Sequence, residues 1–148
     1  MKKFVIYVLC VFVFGISGFF IYRQVLASRY EATAVPYINQ VLPRISTWDP
    51  SLMPEYMAPE ILEKVSSKQL ATLMKGLSSI GELQHIGNAK FKNKSTGRFD
   101  EPAELAVITY TVDTQYSTGQ STVTISLLDL GESYRVYHFN FQSSALGR

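Results

Sequence analysis

Cysteine is almost absent from this sequence: Cys10 is its single cysteine, and it lies in an apolar run near the N-terminus. The residues after that run therefore cannot form an internal disulfide bond, provide a thiolate nucleophile or bind a metal through cysteine. Cys10 itself does not fit a lipidation site, because Tyr-Val-Leu precedes it and such sites need a small residue there. These absences exclude disulfide scaffolds, cysteine enzymes and lipoproteins.

Charge excess and catalytic signatures are scarce as well. The 14 Lys and Arg residues stand against 12 Asp and Glu, a net charge of +2 that is too small for a nucleic-acid-binding domain. The two histidines, His85 and His138, form no zinc-binding pattern, and the sequence has no GxSxG, phosphate-loop or dinucleotide signature. We therefore expect no metal, no cofactor, no catalytic residue and no nucleic-acid partner.

The most specific feature present is a run of 19 uncharged residues, 4–22, which begins at Phe4 and ends at Tyr22. A bilayer span needs about 20 apolar residues, whereas the core of a cleaved signal peptide has roughly 7 to 15. Tyr22 and Arg23 stand where an interfacial aromatic and a snorkelling cation end a span. Residues 1–27 are therefore predicted to be a retained membrane anchor that contacts the lipid bilayer through residues 4–22.

Cleavage of this segment is the alternative interpretation, and it would give a secreted soluble binding protein. Residues 25–27 have a small-residue cleavage pattern, but they lie beyond Arg23, which interrupts the apolar core. Cleavage after residues 15–17 would leave Phe19, Phe20 and Ile21 at a new N-terminus. The retained anchor is favoured because the run fits the length of a span.

The charges around the apolar run predict its orientation. Lys2, Lys3 and the N-terminal amine precede it, and Arg23 and Arg29 follow it together with an acidic residue. The positive-inside bias favours a cytoplasmic N-terminus by a small margin. We expect a single-pass membrane protein whose C-terminal domain is periplasmic or extracellular, the side to which a signal peptide would also deliver it.

Residues 28–148 have the length of one domain, and their first half predicts helices. Residues 28–45 carry an apolar face at helical spacing, which Pro36 interrupts with either a kink or the start of a new helix. Asp49 before Pro50 is typical of a helix start, and further prolines restrict the following segment to short pieces.

The clearest helix follows Ser66. Ser66 and Gln69 fit a capping box, and Gly81 is placed to end the helix. Its apolar stripe consists of Leu70, Leu73, Met74, Leu77 and Ile80.

After Glu82 the apolar period changes to two, which predicts strands. The predicted strands are residues 84–93, 103–115, 120–128 and 134–141. Gly119 and Gly131 lie in short links between the last three, as in an antiparallel meander. The fold class is therefore predicted to be α+β, with an N-terminal transmembrane helix followed by two to three helices packed on a mainly antiparallel four-stranded sheet.

The element order also resembles a known family. A short first helix leads to WDPSLMPEYMAPE, a helix ends in SSIGEL, and the last strand is GESYRVYHFNF. This arrangement is similar to the nuclear transport factor two-like, or cystatin-like, α+β superfamily, including small membrane-anchored bacterial extracytoplasmic domains of unknown function and anchored periplasmic subunits of type IV secretion. The resemblance implies a curved sheet wrapped on helices over residues 28–142. The fold carries enzymes, binding domains and scaffolds alike.

Several side chains are candidate contacts with a partner or ligand. They are Trp48, Tyr56, Lys90, Lys92, Lys94 and His138. In an extended strand the three lysines would share one face, where they would contact anionic headgroups or an acidic partner, or would block unwanted strand pairing. Trp48 and Tyr56 would anchor a partner or close the core.

A catalytic alternative would pair His138 with Asp113 as base and orienter, or would use Tyr110 and Asp113 in the cone of the fold. His138 lies on the outer face if its aromatic neighbours fill the core, and otherwise lines the interior. Asn93-Lys94-Ser95 matches a glycosylation acceptor. Two alternating polar stretches, 109–113 and 122–126, form either a solvated sheet surface or a docking surface.

Taken together, these features predict a membrane-anchored extracytoplasmic interaction or accessory protein, a non-catalytic part of a bacterial envelope assembly. Its expected partners are the bilayer, other envelope proteins and further copies of the chain. The first alternative is a small-molecule-binding or enzymatic domain that uses the cone cavity of the same fold. The second is the secreted binding protein.

Overall fold

The computed structural model describes residues 1–96 and 105–143 of the chain. Its first element is the helix α1, Lys2–Ile45. The chain divides into two units, Met1–Thr33 and a second unit that begins at Ala34, and each is described by itself. The predicted span therefore lies wholly in the first unit.

The first unit consists of the N-terminal part of α1 and exposes apolar side chains all round. Phe4, Phe12 and Phe20 have 73%, 68% and 65% of their surface exposed. The Ser17 hydroxyl donates a hydrogen bond to the Val13 carbonyl at 2.8 Å, so its polar group is satisfied within the helix. This helix is long and apolar enough to cross a membrane.

In the second unit, α1 continues through Pro36 to Ile45, and the alternative of a new helix at Pro36 is wrong. A proline inside a helix costs about 3 kcal/mol or more. The residues around it form a fully buried stripe: Ala34, Ile38, Val41, Leu42 and Ile45. Since burial of one large aliphatic side chain contributes about 1.5–3 kcal/mol, the stripe offsets the loss at Pro36.

Three short helical pieces follow, as the prolines predict. They are a 3-10 turn at Pro50–Leu52, helix α2 at Met53–Tyr56 and helix α3 at Pro59–Lys64. The Asp49 carboxylate caps the first by accepting hydrogen bonds from the Ser51 backbone at 2.9 Å and the Ser51 hydroxyl at 2.7 Å.

Helix α4, Ser67–Leu77, has the predicted capping box. The Gln69 backbone N–H donates to the Ser66 hydroxyl at 3.2 Å, and the Ser66 backbone N–H donates to the Gln69 side chain at 2.9 Å. Gly81, with φ of 91°, follows a final 3-10 turn and ends the helical region. Leu73 is the one residue of the predicted stripe that is exposed, at 47%.

The second half of the described chain forms one four-stranded sheet. Its strands are β1, Leu83–Thr96; β2, Ala106–Tyr116; β3, Gly119–Asp129; and β4, Tyr134–Ser143. They follow one another in the order β1-β2-β3-β4, and each neighbouring pair is antiparallel. The predicted α+β class and antiparallel meander are confirmed. The predicted start of the second strand, residue 103, lies outside the described residues.

One side of the sheet, which we call the covered face, is packed with apolar and aromatic side chains. Its buried members are Ile108, Tyr110, Val112, Tyr116, Val123, Ile125, Leu127, Val136 and Phe141. They alternate along β2 and β3, as expected when one face of a strand is buried. The buried Ser46 hydroxyl shares a 2.7 Å hydrogen bond with the Tyr116 hydroxyl, so α1 is joined to the covered face.

The segment between α2 and α3 pairs with the start of β4 at the outer edge of the sheet. The Ala58 backbone N–H donates to the Val136 carbonyl at 2.8 Å, and Met57 forms a parallel bridge with Val136. Ala58 also packs with Val107 and Leu128 in a smaller buried cluster. This contact limits access to the outer edge of the sheet at that point.

Candidate functional site

The opposite side of the sheet, which we call the open face, carries polar side chains in register. Its members on β2, β3 and β4 are Thr109, Thr111, Asp113, Gln115, Gln120, Thr122, Thr124, Ser126, His138, Asn140 and Gln142. The two predicted polar stretches are direct neighbours, because Thr109 pairs with Ser126 and Thr111 pairs with Thr124. Residues that pair across strands share a face, so the stretches form one continuous surface.

Hydrogen bonds connect side chains along this surface. Thr109 and Ser126 share a bond of 2.9 Å between their hydroxyls. The Asp113 carboxylate accepts from the Thr122 hydroxyl at 3.3 Å and from the Lys90 ammonium at 3.1 Å. Lys90 and Asp113 have exposed fractions of 69% and 64%, so solvent screens their ion pair and its net contribution to stability is about 0–1 kcal/mol.

At one end of the open face lies a depression of about 390 Å³, which we call the polar groove. Six side chains line it in two rows across the strands. The first row is His85, Gln115 and Gln120, and the second is Asp113, Thr122 and Gln142. Below them, the Thr114 hydroxyl donates to the Ser121 carbonyl at 2.9 Å, and the Ser121 hydroxyl donates to the Gln142 carbonyl at 3.0 Å.

Irregular pairing of β1 shapes the polar groove. The register with β2 shifts between Ile86 and Ala89, and Gly87 lies in this bulge. A Cβ atom at Gly87 would come within 2.7 Å of the Asp113 carbonyl oxygen. Only glycine therefore allows β1 to approach β2 this closely.

A second surface, which we call the tyrosine edge, consists of Tyr37, Tyr56, Tyr134 and Arg135. The rings of Tyr37 and Tyr134 have centroids 5.7 Å apart, and Arg135 donates a hydrogen bond to the Glu55 carbonyl. Burial raises the pKa of Tyr37, the Arg135 guanidinium lowers it in part, and Tyr56 raises it. The four side chains are half-buried, so each presents part of its surface to solvent.

The three predicted lysine contacts do not share one face, and that prediction is wrong. Lys90 pairs with Thr111 of the open face, whereas Lys94 pairs with Ile108 of the covered face. Lys92 lies at the irregularity between Phe91 and Asn93. This bulge inserts one extra residue into β1 and so reverses the facing of the residues that follow.

His138 lies on the open face, is exposed and pairs with Ser126. The alternative that it lines the interior is wrong, because Phe139 and Phe141 take the covered face. His138 is also not brought to Asp113. Asp113 pairs with Thr122, four residues along β3 from Ser126, which corresponds to roughly 13 Å along the strand.

Trp48 and Tyr110 are held by the core. The Trp48 indole N–H donates to the Gly81 carbonyl at 2.8 Å, and its ring packs 5.3 Å from Phe141 and 5.9 Å from Tyr116. Tyr110 is 1% exposed. The core role is the one that the structure favours for both rings, while a partner contact by the exposed part of Trp48 stays a prediction.

Most of the polar groove was not predictable from the sequence patterns described above. Four of its residues were not predicted to belong together: His85, Gln115, Gln120 and Gln142. Each lies two positions from a polar residue of the same strand or pairs with a polar residue of the neighbouring strand. Extending the alternating polar pattern of residues 109–113 by two positions would have included Gln115. Within residues 1–96 and 105–143, no cluster of three or more His, Cys, Asp or Glu side chains could hold a metal ion.

No model of a known protein family, no curated protein and no solved structure matches this chain. The likeness to the nuclear transport factor two-like superfamily therefore stays a prediction.

Proposed function

We propose that this protein is a membrane-anchored extracytoplasmic accessory domain that joins a bacterial envelope assembly and has no catalytic role. The observation that carries the proposal is the uncharged, exposed helical segment 4–22 in the first unit. A helix that is apolar all round needs an apolar environment, and its length fits the hydrocarbon core of a bilayer.

The charge distribution supports the orientation. Lys2, Lys3 and the N-terminal amine flank one end of the segment, and the positive-inside bias favours that end in the cytoplasm. The second unit is then periplasmic or extracellular. Its helices-then-sheet order suits a curved, cystatin-like domain with two to three helices after the anchor, a fold that carries enzymes, binding domains and scaffolds alike.

The tyrosine edge is the surface that we assign to a protein partner. Tyrosine and arginine are enriched in the energetically dominant parts of protein interfaces, because they combine a large apolar area with hydrogen-bonding groups. Tyr37, Tyr56, Tyr134 and Arg135 bring these groups together from α1, α2 and β4. Another envelope protein that buries these rings is the proposed partner, with self-association as the alternative.

Membrane anchoring is tested by extracting membranes with alkaline carbonate. The wild-type chain should stay in the membrane pellet, whereas the Phe12→Lys, Ile16→Lys double variant should be released, because each central lysine costs about 2.5–3.5 kcal/mol on insertion. Phe12→Leu, Ile16→Leu is the matched control. Release of the wild-type chain would contradict the anchor, and N-terminal sequencing of that soluble form would identify cleavage.

The partner is tested by placing a photo-crosslinking amino acid at Tyr56 in intact cells. We expect an adduct with a second envelope protein at Tyr56 and none at Lys68, an exposed position on α4 that serves as the control. Equal labelling at both positions, or adducts with lipid alone, would contradict a docking role for the tyrosine edge.

A second candidate function is the binding of a small polar molecule. The polar groove supports it, and the proposed ligand would then lie on the open face instead of in the cone between helices and sheet. The covered face is occupied at its centre by Tyr110 and Tyr116.

A further inference from the structure

The polar groove presents a regular set of hydrogen-bonding groups. The three glutamine amides can each donate and accept, although one N–H of Gln115 is already donated to the Tyr116 carbonyl at 3.1 Å. The Thr122 hydroxyl donates to Asp113 and so offers its oxygen as an acceptor, and Asp113 adds further acceptors. Neighbouring strands are about 4.8 Å apart, and positions two residues apart on one strand are about 6.8 Å apart. A ligand here would meet donors and acceptors on a grid with these two spacings.

The composition of the polar groove excludes several ligand classes. In the described part of the chain, its lining contains only glycine and polar residues, so it lacks the apolar anchor of a protein hot spot or a drug-like site. Its carboxylate, Asp113, is compensated by Lys90. A phosphate-rich ligand would need a surplus of cations, and a cationic ligand would need an uncompensated acid.

The central strands of the polar groove do not offer backbone pairing to an extended peptide. The N–H and C=O groups of β2 and β3 are used in the sheet ladder on both sides, so within these two strands only side chains are available to a ligand on this face. Saccharide hydroxyls both donate and accept, and two adjacent hydroxyls match the paired polar atoms of an amide or a carboxylate. From this match we propose that the polar groove binds a neutral, hydroxyl-rich glycan.

The rest of the open face sets the length of this ligand. The polar surface continues past the groove through Thr111, Thr124 and Asn140. Without an aromatic ring for stacking, one sugar unit contributes little, and a chain gains affinity by occupying several positions at once. The ligand is therefore a polysaccharide strand lying across the sheet, and a free monosaccharide binds weakly.

This inference deepens the second candidate function by naming a glycan as the ligand of the polar groove, and it is independent of the membrane-anchored accessory role, because glycan binding uses neither the anchor nor the tyrosine edge. It is tested on the full chain in detergent micelles by co-sedimentation with insoluble cellulose, chitin and β-1,3-glucan. We expect retention on at least one of the three, unchanged from low to high salt because the ligand is neutral.

The Gln120→Ala, Gln142→Ala double variant should weaken the apparent affinity for the polymer about tenfold, since two hydrogen-bonding groups are removed. Both side chains are exposed, so the fold should keep the wild-type unfolding midpoint. Gln84→Ala is the matched control, because Gln84 is an exposed glutamine of β1 outside the groove lining.

Three outcomes would overturn the proposal: retention on none of the polymers, loss of retention at high salt, and equal loss in the Gln84 control. Salt-sensitive retention would indicate ionic adsorption through the lysines of β1. Because carbonate extraction of membranes does not depend on glycan binding, failure of the glycan site and failure of the anchor are distinguished.

Discussion

The two faces of β3 differ in side-chain chemistry from Gln120 to Ser126, whereas at Leu128 the open face is buried as well, against Ala58 and Val107. Val123, Ile125 and Leu127 have no exposed surface and lie on the covered face, while Thr122 and Thr124 alternate with them and lie on the open face. The hydrogen-bonding ladder is common to both sets. Side-chain chemistry therefore places Val123, Ile125 and Leu127 in the core and leaves Thr122 and Thr124 partly exposed to solvent.

This difference separates stability from recognition. Each large aliphatic side chain of the covered face contributes about 1.5–3 kcal/mol by burial. An exposed polar pair such as Lys90 and Asp113 contributes about 0–1 kcal/mol. We therefore expect that the exposed polar groups of the open face can be exchanged without loss of the fold.

The largest expected effect comes from a charge on the covered face. Ile125→Asp should lower the free energy of unfolding by more than about 4 kcal/mol, because it removes a buried side chain and buries an unpaired carboxylate. Thr124→Asp, one residue earlier on the open face, should change it by less than about 1 kcal/mol. Urea unfolding followed by the fluorescence of Trp48, the single tryptophan, measures both. Equal effects would contradict the assignment of the two faces.

The second-largest effect is expected at the buried hydrogen bond between Tyr116 and Ser46. Tyr116→Phe leaves the buried Ser46 hydroxyl without this partner and should cost about 1–3 kcal/mol. Adding Ser46→Ala should recover part of that loss, since the orphaned hydroxyl is then gone. A double-mutant cycle gives the coupling. Strictly additive losses would show that the hydrogen bond has no energetic role.

Alkaline pH should lower the free energy of unfolding through the same residue, Tyr116. Burial raises the pKa of Tyr116 above its ordinary 10.0, and hydrogen bonds with Ser46 and Thr114 lower it in part. The unfolded chain therefore releases this proton first, so stability is intact below about pH 10 and falls as the pH rises further. Urea midpoints across this range should fall less steeply in Tyr116→Phe than in the wild type. The same slope in both would contradict the role of Tyr116.

The smallest effect is expected on the open face. Lys90→Met removes the ion pair with Asp113 and should change the free energy of unfolding by less than about 1 kcal/mol, because both groups are well exposed. The same urea titration measures it. A loss above about 2 kcal/mol would mean that this ion pair on the open face stabilises the fold substantially. The two faces would then no longer differ in their contribution to stability.

Features that depend on near neighbours were predictable from the sequence. Ser66 and Gln69 form the expected capping box, and Asp49 caps the expected short turn. The alternation that predicted strands appears in β2 and β3. These signals act over two to four residues, so the composition of a short segment is sufficient to produce them.

Features that depend on pairing or on distant burial were not predictable. The lysines of β1 lie on different faces because a bulge shifts the register of β1 against β2. No local sequence pattern predicts that bulge. Helix α1 passes Pro36 because a buried stripe compensates the missing hydrogen bond. Similarly, His138 and Asp113 suggested a pair, yet the register keeps them apart.

The sequence by itself determined the uncharged segment 4–22, the helix caps and the order of helices before strands, since each follows from residues close together in the chain. Only the tertiary structure decided that His85, Asp113 and Gln142 meet in one groove. These residues come from three strands, and their distance depends on strand register. A shift of one residue in that register would turn each side chain to the other face.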